Sequence, residues 1–460
     1  MSSVTPLHFM AGGQTHDAAV ADTHFQKGNA AGAAGRYADA IAYFDAALGV
    51  QPMFVDAYVN RGHALAELGR ARAALASFDR ALGLDARHTG ALAARAGVLM
   101  DLNQPDAAMD ATRLAMRVAP EDINLRKRFF WLQVAAGADD RSLAEAGDEV
   151  SRLSVKAARE QLRARRAIPD FRAAHDLAQT GYLLQNGRTH AGLAEVHERL
   201  KDVCARAPAA CEEPQLVPLR EAEIAAIARF REQKVRYIPC VPEFCLNPDL
   251  DWKSIERSYF ASTPEVVVID DFLSASALAE MQRYALLSAV WKSEYLHKYL
   301  GAFGEDGFMS PLHMRIAADL KERLPRLLAA QRLEHLWGFK YAPRFHKGIN
   351  VHADFARLNL NFWITPDSAN LDPETGGLVV YDTPAPASWS FRDYNAGKAR
   401  ISDYLASRQA IRRRIPYRCN RAVLFNASLF HETDVLHFKD GYENQRINIT
   451  YLFGRGLTMA

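Results

Sequence analysis

Cysteine is scarce in this chain: five among 460 residues, Cys204, Cys211, Cys240, Cys245 and Cys419. Their odd number and irregular spacing exclude a dense disulfide framework and match no zinc knuckle, so free thiols in a reducing compartment are the simplest account. Long apolar runs are also missing. No uninterrupted stretch approaches the length that spans a bilayer, and the residues from Met1 to His8 lack a charged segment followed by an apolar one. A cytoplasmic protein without a membrane anchor is the expectation. Excess charge of either sign is absent, because 56 basic against 54 acidic residues leave a formal charge of +2. Nothing global therefore draws the chain to nucleic acid or an anionic membrane. The composition of a disordered chain is absent too: 49% hydrophobic and 24% charged residues can bury large cores, and the length suggests two or three domains.

What is present first is a repeat. From about residue 20, several columns recur at an interval of 34 residues: Gly35, Gly69 and Asn103; Ala40, Ala74 and Ala108; Ala47, Ala81 and Ala115; Pro52, Ala86 and Pro120. Gly28 pairs in the same way with Gly62, and Phe44 with Phe78. Small residues let paired helices approach closely, the aromatic fills the space between neighbours, and proline ends the second helix of a unit. This pattern resembles the tetratricopeptide (TPR) family, which implies an all-α solenoid of about three repeats over residues 20–120, with a groove for a peptide or protein partner.

Residues 121–206 keep helical periodicity without the repeat columns, as a helical cap or bridge would. Their basic run, Lys156 to Arg166, reads as a solvated helix face because no aromatics interleave. Residues 207–260 are richer in proline and read as a linker leading into a further domain, residues 261–460. That domain opens on a β-branched run, Pro264–Asp270, then a helix over Ala275–Leu287 capped by Ser274 and another over Pro311–Gln331. Strands are expected at Trp337–Tyr341, Ile349–Asp354, Leu358–Thr365, Gly377–Tyr381, Ala422–Asn426 and Arg446–Phe453. Strands without helical crossovers argue for packed antiparallel sheets, and a double-stranded β-helix (jelly-roll or cupin) with supporting helices fits best.

Chemistry concentrates in the same strands. His352 and Asp354, two residues apart on an expected strand, project to one face and can share a metal ion. His431 supplies a third ligand. Two histidines and a carboxylate occupy one face of an octahedron and leave three positions open, the arrangement of non-haem Fe(II) oxygenases; zinc would want a fourth tight ligand or an activated water beside a general base. The open positions suit a bidentate 2-oxo acid and dioxygen, and the acid's far carboxylate needs a buried guanidinium. Arg446, expected across a hairpin from His431, is placed for that role, with Lys439 and Arg455 as less well placed substitutes.

His352-Ala-Asp354, Gly376-Gly-Leu-Val-Val-Tyr381, Phe430-His-Glu-Thr-Asp434 and Arg446-Ile-Asn-Ile-Thr450, in this order, resemble the 2-oxoglutarate- and Fe(II)-dependent dioxygenases, specifically their prolyl-hydroxylase-like branch. The resemblance implies that His352, Asp354 and His431 bind the iron and act in catalysis, that Arg446 holds the C5 carboxylate of 2-oxoglutarate, and that Tyr341 and either Asn361 or Trp363 line the co-substrate pocket. It also implies O2 as oxidant, ascorbate as an accessory reductant, and, since position 354 is a carboxylate, hydroxylation rather than halogenation. His346 and His437 flank the motifs as rim residues. The arginines 412–414 read as a solvated patch, with attraction to an acidic substrate segment as the functional alternative. Three functions fit: a hydroxylase acting on a peptide or protein recruited by the repeats, a small-molecule oxygenase whose repeats dimerise, or a non-catalytic TPR adaptor.

Overall fold

The structure is a computed structural model that describes residues 12–456 apart from 189–190, 209–212, 233–234, 236, 296, 343–348 and 396. The chain forms two compact units that divide between Ala136 and Gly137.

The first unit is built from α1 (Gly12–Ala33), α2 (Tyr37–Val50), α3 (Val55–Glu67), α4 (Ala71–Leu84), α5 (Thr89–Asp101), α6 (Pro105–Val118) and α7 (Ile123–Ala135). The repeat columns have direct physical causes here. Gly35, Gly69 and Asn103 all take positive φ, at 72°, 69° and 58°. Each ends the first helix of a pair with a reverse-turn hydrogen bond, as from Arg36 N–H to the Ala31 carbonyl at 2.9 Å. Glycine adopts that conformation without strain and asparagine tolerates it, which is why Asn103 can occupy the column. Ala40, Ala47, Ala74, Ala81, Ala108 and Ala115 have no exposed surface. A Cβ on Gly62 would meet the Phe78 ring at 2.5 Å, and one on Gly28 would meet the Phe44 ring at the same distance. In the third unit the bulk is exchanged between partners: Ala96 stands in the glycine column and Thr112 in the aromatic one, both fully buried. The period also runs one step further than the expected three repeats, to Gly137 at φ 72° after α7.

The second unit begins with helices. α8 (Asp140–Arg165), α9 (Asp170–Gln185), α10 (Leu193–Ala205) and α11 (Glu221–Glu232) share a core that includes Ile168, Leu183, Leu200, Ile227 and Phe230. Residues 207–260, whose prolines suggested a linker, thus contribute buried side chains to this core and also form α12 (Trp252–Ala261). α13 (Ala275–Leu287) starts where expected, and the Ser274 hydroxyl accepts from Ala277 N–H at 3.2 Å. The expected long helix from Pro311 ends early, because Pro325 cannot continue it; α14 covers Pro311–Arg323 and a short turn follows.

Twelve strands are described: β1 (Ala167–Pro169), β2 (Leu216–Pro218), β3 (Val266–Ile269), β4 (Ser293–Tyr295), β5 (Tyr299–Phe303), β6 (Leu333–Tyr341), β7 (Ala356–Trp363), β8 (Leu378–Pro384), β9 (Arg412–Ile415), β10 (Ala422–Asn426), β11 (Leu429–Thr433) and β12 (Ile447–Arg455). β1 and β2 pair with each other, seven strands form a main sheet in the order β3-β10-β7-β12-β6-β5-β4, and three form a small sheet in the order β11-β8-β9. Every described pairing is antiparallel. Tyr341, Trp363, Val423 and Phe425 of the main sheet bury one face against Leu378, Val380, Ile415 and Leu429 of the small one. The opposite face of the main sheet places Phe362 and Tyr451 against Phe272 and His313.

Two further expectations are corrected. Residues 349–354 do not form a strand: only His352 bridges to His431, and the chain leaves the extended ladder before Asp354. Arg446 does not lie across a hairpin from His431 either. β11 pairs with β8 in the small sheet, whereas β12 runs between β6 and β7 in the main sheet. The intervening residues cross from one sheet to the other, which their length permits and local spacing does not reveal.

Candidate metal centre

Two peptide hydrogen bonds lock the imidazole-bearing segments together: His352 N–H to the His431 carbonyl at 2.9 Å, and His431 N–H to the His352 carbonyl at 2.8 Å. Each ring is then oriented by its own chain. His352 Nδ1 lies 2.8 Å from the Asn350 carbonyl, and His431 Nδ1 lies 2.9 Å from the Leu429 carbonyl. A carbonyl only accepts, so Nδ1 carries the proton in both rings and each Nε2 keeps its lone pair free. The two Nε2 atoms converge on the carboxylate of Asp354, at 4.0 Å from Oδ1 for His352 and 3.4 Å from Oδ2 for His431. One ligand atom from each of the three residues lies within 4.8 Å of the others, and this is the one such cluster of ligating side chains among the described residues.

Burial and charge fit the same role. Burial, then the neighbouring His431, push His352 down to about 4, with Asp354 pulling the other way. Burial works to raise the Asp354 carboxyl, but His431, His352 and a hydrogen bond from Asn359 outweigh it and hold the group below its ordinary value. The Asn359 amide donates to Asp354 Oδ2 at 2.6 Å from a position 1% exposed. Alternation along the strand puts Asn359 on the face of Asn361 and Trp363, which is the one signal in the sequence for this contact.

Arg446 is buried at 2% exposure on the same inter-sheet side. Its Nε donates to the Gly376 carbonyl at 2.7 Å, Nη2 to the Gly377 carbonyl at 3.2 Å and Nη1 to Asn448 Oδ1 at 3.1 Å. The glycines are required for this: a Cβ on Gly377 would lie 2.0 Å from the Ile415 carbonyl oxygen. The guanidinium packs over Tyr341 and Trp363, 5.0 and 5.6 Å from the ring centres. Among the described residues no carboxylate forms an ion pair with it, and burial lowers its pKa from the ordinary arginine value. Tyr341 places its hydroxyl 3.4 Å from Thr433 Oγ1, two residues beyond His431. Asn361 donates to Thr450 Oγ1 at 3.0 Å. The Asn361 and Asn359 carbonyl oxygens and the Trp363 indole N–H are buried without a partner in the protein. Lys439 is exposed, and His437 lies at the rim, 4.0 Å from Asp372. His346 and the side chain of Arg455 fall outside the described residues.

In the first unit, polar side chains connect successive first helices: Asn60 of α3 donates to Asn29 of α1 at 2.8 Å, and Arg128 of α7 reaches the Ala93 carbonyl of α5. A tetratricopeptide-repeat family model matches residues 25–89. The first unit carries tetratricopeptide repeats. Solved structures similar to the chain include the first TPR of Spaghetti (RPAP3) bound to an HSP90 peptide, at 19% identity over 26% of this chain and 96% of that one, with a TM-score of 0.26. The Arabidopsis OM64 TPR domain is similar at 20% identity over 25% of this chain and 97% of that one, with a TM-score of 0.25. MamA from Desulfovibrio magneticus is similar at 21% identity over 29% of this chain and 75% of that one, with a TM-score of 0.28. No curated protein matches the chain. No described helix is long and apolar enough to cross a membrane.

Proposed function

We propose that the second unit is a 2-oxoglutarate- and Fe(II)-dependent oxygenase of the double-stranded β-helix type, which hydroxylates a peptide or protein side chain recruited by the TPR unit. The observation that carries the reading is the convergence of two oriented imidazole Nε2 atoms and one buried carboxylate on a single point. Two nitrogens and one oxygen from three protein ligands suit a six-coordinate iron with open positions better than a closed structural zinc. His352, Asp354 and His431 would hold the ion. A buried guanidinium held by carbonyl and amide oxygens, with no carboxylate paired to it among the described residues, is costly without an anion, so Arg446 is suited to the far carboxylate of 2-oxoglutarate. The orphaned Asn361 carbonyl and Trp363 indole N–H offer further polar contacts in the same inter-sheet space.

When bound, iron and 2-oxoglutarate supply the oxidising chemistry, with loss of CO2 and formation of succinate. The chain's own residues do the positioning. The Asn350 and Leu429 carbonyls fix the imidazole tautomers, the Asn359 amide aims the Asp354 carboxylate, and the Phe425 ring packs edge-on against His431 at 4.9 Å. In the first unit, the tetratricopeptide repeats suit recruitment of a peptide or protein partner.

Anaerobic addition of Fe(II) and 2-oxoglutarate is expected to give a weak visible charge-transfer band, and His352→Ala is expected to abolish both the band and succinate formation. Turnover persisting in that variant refutes the metal assignment. Failure of the wild-type chain to bind Fe(II) at micromolar concentration favours the adaptor reading.

A further inference from the structure

The small sheet carries one more residue in line with the ligands. His352 bridges to His431, His431 pairs with Val380, and Val380 pairs with Arg413 on β9. Directly opposed residues of antiparallel strands project to the same face, so Arg413 faces the side on which the two imidazoles lie. The parity is checked two residues on, where Ile415 is buried in the inter-sheet core together with Val380. Two strand spacings put the Arg413 backbone about 10 Å from that of His431.

The flanking arginines differ in kind. Arg412 pairs with Glu432 at 3.2 Å, and Arg414 pairs with Asp434 at 3.0 Å. Arg413 is exposed, and no ion pair or hydrogen bond engages it among the described residues. Arginine on the free edge of a sheet also blocks pairing with other chains, but that role needs exposure only and is met by all three residues. It does not require one unpaired guanidinium on the face that carries the ligands.

We propose that Arg413 is a specificity-determining residue that holds an anionic side chain of the peptide substrate, flanking the residue presented to the metal centre. This rests on the oxygenase reading above. An extended peptide advances about 3.3 Å per residue, so a separation of about 10 Å places the anionic side chain about three residues from the modified one.

The test uses the full chain and a positional array of extended nine-residue peptides. Each position in turn carries Asp, phosphoserine or Asn, and the remaining positions are equimolar mixtures. Wild-type protein is expected to bind the anionic peptides about tenfold tighter than their Asn counterparts at one position. Arg413→Gln should lose that preference while Arg412→Gln keeps it, with Co(II) affinity unchanged in both variants. The phosphoserine and Asp columns distinguish a phosphate from a carboxylate as the recognised group. Absence of any anionic preference in the wild type, or its survival in Arg413→Gln, overturns the proposal. A preference that depends on Arg413 in a protein without succinate formation would instead remove the oxygenase reading and leave this site standing.

Discussion

Asn359→Leu isolates the contribution of one hydrogen bond to the metal centre. The Asn359 amide reaches Asp354 Oδ2 at 2.6 Å, while its carbonyl oxygen is buried without a partner. Leucine of similar size also removes an unsatisfied acceptor, and the desolvation penalty recovered there offsets part of the cost of taking a donor from the buried carboxylate. Asp354, by contrast, loses the contact that orients its carboxylate. Outer contacts of this kind are worth about 10- to 100-fold in metal affinity, or about 1.4 to 2.7 kcal/mol. Anaerobic Co(II) titration, followed by visible absorption in competition with a chelator, measures the change, and urea unfolding of the metal-free protein checks the fold. A Co(II) affinity within about twofold of wild type, with an unchanged unfolding midpoint, would refute the argued role of Asn359.

The remaining expectations are briefer. Gly62→Ala drives a methyl into the Phe78 ring and should destabilise the first unit by about 1–3 kcal/mol in urea unfolding. Adding Phe78→Thr should recover part of the loss, because Ala96 and Thr112 already use that combination, and an equal loss in single and double variants would count against the packing account. Arg446→Gln should weaken 2-oxoglutarate binding at least about tenfold in anaerobic titrations while Fe(II) binding persists; unaltered co-substrate affinity would reassign the anchor. Burial pushes His175 down to about 4, against the opposing pull of Asp176. The unfolded chain therefore takes up a proton that the folded chain refuses, and stability is lost as pH falls from about 6.5 towards 4, by about 2 kcal/mol at pH 5. His175→Phe should flatten that part of the pH dependence of the urea midpoint, and an unchanged slope would show that other groups control it.

Much of the first unit was legible because its columns report contacts between residues close in sequence. A glycine and an aromatic 16 positions apart meet in every pair of helices that carries them, so the period shows directly in the chain. Helical periodicity after residue 136 was equally visible, but periodicity does not say which body a helix packs against, and α8 to α11 bury their apolar faces in the second unit. Short strands such as β4, β5 and β9 escaped notice, since a few residues carry too little alternation to stand out.

The same division holds at the candidate metal centre. The sequence by itself determined which residue types are available: two histidines, a carboxylate and an arginine in a β-rich context, with Asn359, Asn361 and Trp363 alternating onto one face of a strand. Only the tertiary structure decided how they meet. It set His352 in a single bridge rather than a strand, carried His431 and Arg446 to opposite sheets, and aimed Asn359 at Asp354. The physical reason is range: alternation along a strand follows from local backbone geometry, whereas pairing between strands far apart in the chain is selected by burial of both sheet faces at once.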